Sequence, residues 1–208
     1  MAFDYKKEYP EIYMPKSIPS IVTIPEMNYI AVRGKGDPNE ENGDYQRSIN
    51  LLYGIAYTIK MSKKGDHQIE GYFDYVVPPL EGFWWQDGVE DIDYTHKENF
   101  KWISAIRLPD FVSPDDFEWA KREASRKKKM DFSDVEFFEY REGLCVHCMH
   151  IGSYDDEPAT VLLMHKHMKE TGHVLDISTE RLHHEIYLSD ARKVARDKLK
   201  TVIRHPIK

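Results

Sequence analysis

The stretch LCVHCMHIGSYDDEPATVLLMHKHM, residues 144–168, carries the reading that decides the fold. Leu144 to Ile151 are strand formers, and Gly152-Ser153-Tyr154-Asp155-Asp156 is turn chemistry. From Glu157, with Pro158 in the first turn, the spacing predicts a helix whose buried side is marked by Val161, Met164 and Met168 and which Gly172 closes. Two more strand candidates follow, His183 to Leu188 (HHEIYL) and Lys200 to His205 (KTVIRH).

The same order stands earlier in the chain. Pro25 to Arg33 (PEMNYIAVR) reads as a strand that stops at Gly34-Lys35-Gly36-Asp37-Pro38. Asp44 is placed to cap a helix in which Ile49, Leu52, Tyr53, Ala56 and Ile59 form one apolar stripe, ending near Lys63-Lys64-Gly65. Tyr72 to Val77 (YFDYVV) and Phe100 to Leu108 (FKWISAIRL) are the next strand candidates, with PPLEGFWWQDGVEDIDYTHKEN between them as a loop. The pattern predicts an α+β fold of duplicated β-α-β-β units with antiparallel sheets. Its pseudo-repeats span about 24–108 and 135–208 in a single domain, after an extension over 1–23. A helix joins them: Ser113-Pro114-Asp115-Asp116 has N-cap chemistry, Phe117, Ala120 and Ala124 give an apolar side, and Arg126 to Lys129 suit the C-terminal end.

With 208 residues, a net charge of −7 and 31% charged residues, the chain suits one globular domain repelled by phosphate backbones. Nucleic acid is therefore not an expected partner. No apolar run approaches the ~20 residues of a spanning helix, and the first residues do not resemble a signal peptide, so a cytoplasmic protein without membrane contact is expected. Metal is not expected either. Cys145 and Cys148 are three apart on a strand and point to opposite faces, His183 and His184 diverge for the same reason, and His165 and His167 lie about 200° apart around a helix. Neither GxSxG nor a phosphate loop occurs, and no cofactor motif is found.

Four segments, PLEGFWW (79–85), YREGL (140–144), IGSYDDEP (151–158) and HHEIYLSD (183–190), together with the closing KLKTVIRHPI, resemble the stand-alone branch of the GyrI-like small-molecule-binding domains. The resemblance covers the chain from about Ile24 to its end. It implies the multidrug-effector-binding fold, with helices on one face of each sheet and a ligand cleft between the halves. The family includes effector-binding halves of multidrug-responsive regulators, a gyrase inhibitor, and stand-alone members that hydrolyse cyclopropane-bearing DNA-alkylating natural products without a cofactor. The residues before Ile24 are too few for a DNA-reading helix-turn-helix, so the regulator activity is not carried over.

The resemblance points to Glu185 as the pocket carboxylate, a counter-charge for cationic aromatic ligands or a general base. Strand alternation sets Glu185 and Tyr187 on one face and Ile186 and Leu188 on the other. The apolar pair is expected to face the helices and the polar pair the cleft. Tyr187 can add a hydroxyl donor. Aromatic walls for a flat ligand are expected from Trp85, Tyr29, Tyr75, Trp102 and Tyr140. Two functions stay open, hydrolysis of an electrophilic cyclopropane and sequestration of amphipathic aromatic ligands without turnover.

Overall fold

A computed structural model describes residues 2–89 and 92–208. Six antiparallel strands close into a barrel in the order β1-β3-β2-β5-β6-β4. The strands are β1 (Ser20–Lys35), β2 (Leu80–Trp85), β3 (Lys101–Arg107), β4 (Glu136–Ile151), β5 (His183–Tyr187) and β6 (Lys200–Pro206). The helices are α1 (Tyr5–Glu8), α2 (Pro10–Tyr13), α3 (Asp44–Lys60), α4 (Pro114–Lys128) and α5 (Glu157–Glu170). Strand, helix, strand, strand thus occurs in both halves, with α4 between them. Two junctions join the halves, β1 to β4 and β2 to β5.

Closure alters the expected layering. The halves do not form two separate sheets; β1 and β4 are 16 residues each, long enough for β1 to pair with β4 over 20–31 and with β3 over 29–35. The barrel interior holds Tyr29, Ala31, Phe83, Ile103, Ala105, Cys145, Ile186 and Val202. Outside, α3 and α4 cover Ile30, Val32, Trp84, Trp102 and Ile106, while α5 covers Val146, Cys148 and Ile203. Alternate residues of each strand therefore feed an inner and an outer core, and Cys145 and Cys148 fall on opposite sides.

Three expectations need correction. The second strand is Leu80–Trp85, not Tyr72 to Val77, whose only sheet-like contact among the described residues is a parallel bridge from Tyr75 to Phe3. Pro78 and Pro79 end that earlier run, and Gly82 disguises the true strand, because glycine is a poor strand former by composition. The helix cap is Gly43 rather than Asp44, which is the first residue of α3. The segment before β1 is an integral part of the barrel end: Tyr5 and Tyr13 are buried with the inner core, and Arg204 donates to the Ile12 carbonyl at 2.9 Å. The linker helix starts as its sequence requires, with a capping box between Ser113 and Asp116. No described helix is long and apolar enough to cross a membrane.

Candidate functional site

Strand β5 sits between β2 and β6, and its register sets Glu185 opposite Gly82, His183 opposite Trp84 and Tyr187 opposite Leu80. Glu185 and Tyr187 share a face, as alternation requires, but the assignment of faces is reversed. Ile186 enters the barrel interior, whereas Glu185 and Tyr187 lie on the outer surface beside the helices. The register of β5 against β2 and β6 sets Ile186 inward, on the same face as His184 and beside the inner apolar side chains. The polar pair is left in the seam between α3 and α5.

In that seam the Tyr187 hydroxyl donates to Glu185 Oε2 at 2.7 Å and accepts from the Trp84 indole N–H at 2.9 Å. Gly82 makes the second bond possible: a Cβ there would lie 2.5 Å from Trp84 Nε1 and 2.8 Å from the Tyr187 hydroxyl. His183 Nε2 meets Glu185 Oε1 at 2.9 Å. His183 Nδ1 meets His205 at 2.6 Å, and His205 in turn meets half-buried His165 at 3.0 Å. An ionised Glu185 accepts from His183 Nε2–H, and the contacts continue through His205 to His165, so the carboxylate fixes the first ring of an imidazole row.

A second carboxyl completes the cluster. Glu157, the first residue of α5, is fully buried within hydrogen-bond reach of Glu185, and the Tyr94 hydroxyl stands 3.5 Å from its Oε2. Two carboxylates repel, so this contact holds only with a proton between them. Burial, then the neighbouring Glu185 charge, raises Glu157 well above the usual carboxyl range. Burial also acts to raise Glu185, but donation from His183, Tyr187 and Glu157 outweighs it and keeps that carboxyl below its ordinary value. The pair is therefore poised as one acid and one carboxylate. Glu157, His183 and Glu185 bring three potential ligand atoms within 4.8 Å of one another, and His183 already meets Glu185 at 2.9 Å.

Aromatic rings line the seam. Tyr45 from α3 packs on Trp84 at 5.2 Å, Tyr154 meets Tyr187 edge-on at 5.7 Å, and Phe100 abuts Trp84 at 5.6 Å. Of the expected walls, Trp102 lies on this outer side, against Tyr45, but under α3 and buried. The structure does not bring the others to Glu185: Trp85, Tyr29, Tyr75 and Tyr140 pack with the inner core. Trp85 belongs inward because it is one residue out of phase with Trp84. Sequence reasoning missed Trp84, Tyr45, Tyr154, His183 and Glu157. The register of β2 against β5 identifies Trp84, but the prolines and Gly82 give that segment the composition of a loop; Glu157 has the sequence setting of an ordinary acid at a helix start. Glu185 is only 7% exposed, and a cleft of about 690 Å³ is lined by Phe100, Asp44, Gln86 and Lys101 and not by Glu185.

The family model for the GyrI-like small molecule binding domain matches residues 18–208. The chain belongs to the GyrI-like family. Two solved structures from Listeria innocua resemble it over nearly its whole length. One is of a hydrolase, 45% identical with a TM-score of 0.90, covering 99% of this chain and 100% of that one. The other is of an uncharacterized conserved protein, 46% identical with a TM-score of 0.93 and the same coverage. The EcmrR C-terminal domain shares the GyrI-like fold at 14% identity and a TM-score of 0.54, with 91% of this chain and 96% of that one aligned. No curated protein matches the chain.

Proposed function

We propose that this GyrI-like domain takes a bulky aromatic small molecule into the seam between α3 and α5, and that Glu185 there activates water to open an electrophilic cyclopropane in a DNA-alkylating natural product. The observation that carries this reading is a buried carboxylate held ionised among aromatic rings. Glu185 takes a proton from water, and the water oxygen bonds to a ring carbon. The strained carbon–carbon bond breaks with its electron pair passing into the conjugated carbonyl, whose oxygen is protonated in turn. An activated cyclopropane is already reactive, so positioning and one base suffice, and no metal or cofactor is required. Tyr187 holds the carboxylate in place. The substrate's access requires that Tyr94 and its segment leave Glu157. The outcome for a cell would be detoxification in the cytoplasm. The same reading takes the two β-α-β-β halves as copies of one unit that superpose, with α3 and α5 as equivalent walls.

One observation favours the second reading, a binding module without turnover. Glu185 already has donors from His183, Tyr187 and Glu157, as a permanent counter-charge would. Mass spectrometry separates the two. Incubation of a cyclopropane-bearing alkylator with purified protein gives a product heavier by one water if the enzyme reading holds, and tightly bound, unchanged ligand if the protein only sequesters.

A further inference from the structure

The fully buried Glu157 carboxyl stands against Glu185, whose second oxygen Tyr187 already holds. Its Oε1 has no other hydrogen-bond partner among the described residues. We propose that Glu157 is a specificity-determining residue of this seam: it keeps one proton against Glu185 while the seam is empty or holds a neutral aromatic, and gives it up when a cationic aromatic binds. This rests on the seam being the ligand site.

The argument is one of charge. With one proton shared, the pair carries a single negative charge, and His183, Tyr187 and the Glu157 hydroxyl already disperse it over three hydrogen bonds. A neutral ring needs nothing more. A cation pressed against the same wall has little unopposed charge to meet unless the Glu157 O–H bond breaks and its proton passes to a buffer base, leaving two carboxylates facing the cation. The groups around the pair permit this exchange to be read cleanly. Tyr45 on α3, Tyr154 before α5 and Tyr187 on β5 are all phenols raised by burial, Tyr45 and Tyr187 far above neutral pH. Asp155 is engaged by Lys97, Tyr94 comes from the segment between β2 and β3, and His205 from β6 is held well below its usual range by burial and by His183 and His165. Among the described residues of the seam, Glu157 is thus the acid whose ordinary charge burial and the neighbouring Glu185 suppress.

The probes are tetraphenylphosphonium, a cation, and triphenylphosphine oxide, a neutral molecule of similar shape. Calorimetry in buffers of different ionisation enthalpy should find about one proton released per cation bound and none with the neutral probe. Affinity for the cation should then rise up to about tenfold per pH unit below the Glu157 titration, from proton linkage. Glu157→Gln should abolish that slope and the proton release. A second measurement needs no ligand: carbon-13 NMR of labelled glutamates should find one carboxyl still protonated at neutral pH, absent from Glu157→Gln. A cation that binds without releasing a proton, or a protein with every glutamate ionised at neutral pH, overturns the proposal. If the protonated carboxyl is present but neither probe binds, the shared proton stands and the ligand-site reading fails.

Discussion

His184 and Glu185 are neighbours in sequence, and each is the centre of a buried polar cluster, one inside the barrel and one outside it. Inside, His184 Nε2 meets Glu81 at 2.9 Å and its Nδ1 meets Glu142 at 3.1 Å, while Arg204 donates to Glu142 at 2.8 Å. Two carboxyls face an imidazole and a guanidinium, and Arg204 spends a further donor on the Ile12 carbonyl. Burial alone would raise Glu142, but Arg204 and His184 hold it down to about 2. Outside, two carboxyls face imidazoles and phenols and, among the described residues, no guanidinium, and burial with the Glu185 charge raises Glu157 well above the usual carboxyl range. The inner cluster is sealed and holds a guanidinium against its carboxyls, as a structural network does. The outer one holds a carboxyl pair with no guanidinium partner among the described residues, beneath aromatic rings, a setting in which perturbed acids serve ligand sites.

The comparison breaks most visibly at Arg204. Arg204→Met leaves Glu142 buried without its cation and should cost about 3–5 kcal/mol of stability, read from the urea midpoint. A loss below ~1 kcal/mol would mean that the inner network does not hold the barrel. Glu185→Gln keeps the shape but sets an amide donor among groups that donate to that carboxylate, so it should cost about 1–3 kcal/mol. Turnover, measured by appearance of the water adduct, should fall ~10²-fold or more. Unchanged turnover would remove Glu185 from the chemistry.

pH separates the two clusters by sign. Glu142 is depressed in the folded state, so its contribution is present above the unfolded value of ~4.3 and is lost as pH falls towards about 2. Glu157 is raised, so the folded state holds an extra proton and stability should decline as pH climbs from ~4.3 towards its folded value. His184 is also raised, and its contribution fades only as pH passes above ~6.5. Chemical denaturation across pH should therefore reveal a decline beginning in mildly acid solution that Glu157→Gln alone removes. A decline surviving that substitution would assign it elsewhere. The smallest effect is expected at Gly82: an added methyl group must push Trp84 and Tyr187 apart, costing about 1–2 kcal/mol and several-fold in affinity for an aromatic ligand. Equal affinity in Gly82→Ala would show that the Trp84 to Tyr187 bond does not shape the seam.

Much of this was legible in the chain. The helix from Glu157 carries its own start and stop, and the pairing of Glu185 with Tyr187 follows from alternation alone. The direction that face takes was not legible, since alternation divides a strand into two faces without saying which one a closed barrel turns inward. The inward side of Trp85 is hidden in the same way, because strand propensity favours Tyr72 to Val77, rich in tyrosine and valine, over Leu80–Trp85, where Gly82 lowers it. Glu157 was hidden for a different reason. A glutamate at a helix start is ordinarily a solvated acid near the positive end of the dipole, and only the approach of β5 makes it a buried partner.

The location of a bound aromatic tests the central claim most directly. A crystal structure of the chain with a neutral polycyclic ligand should place its ring against Trp84 and Tyr187, with Glu185 within hydrogen-bond reach and Tyr94 moved off Glu157. A ligand found instead beside Asp44 and Gln86, or at the barrel end by Trp85, with Glu185 still covered, would contradict it.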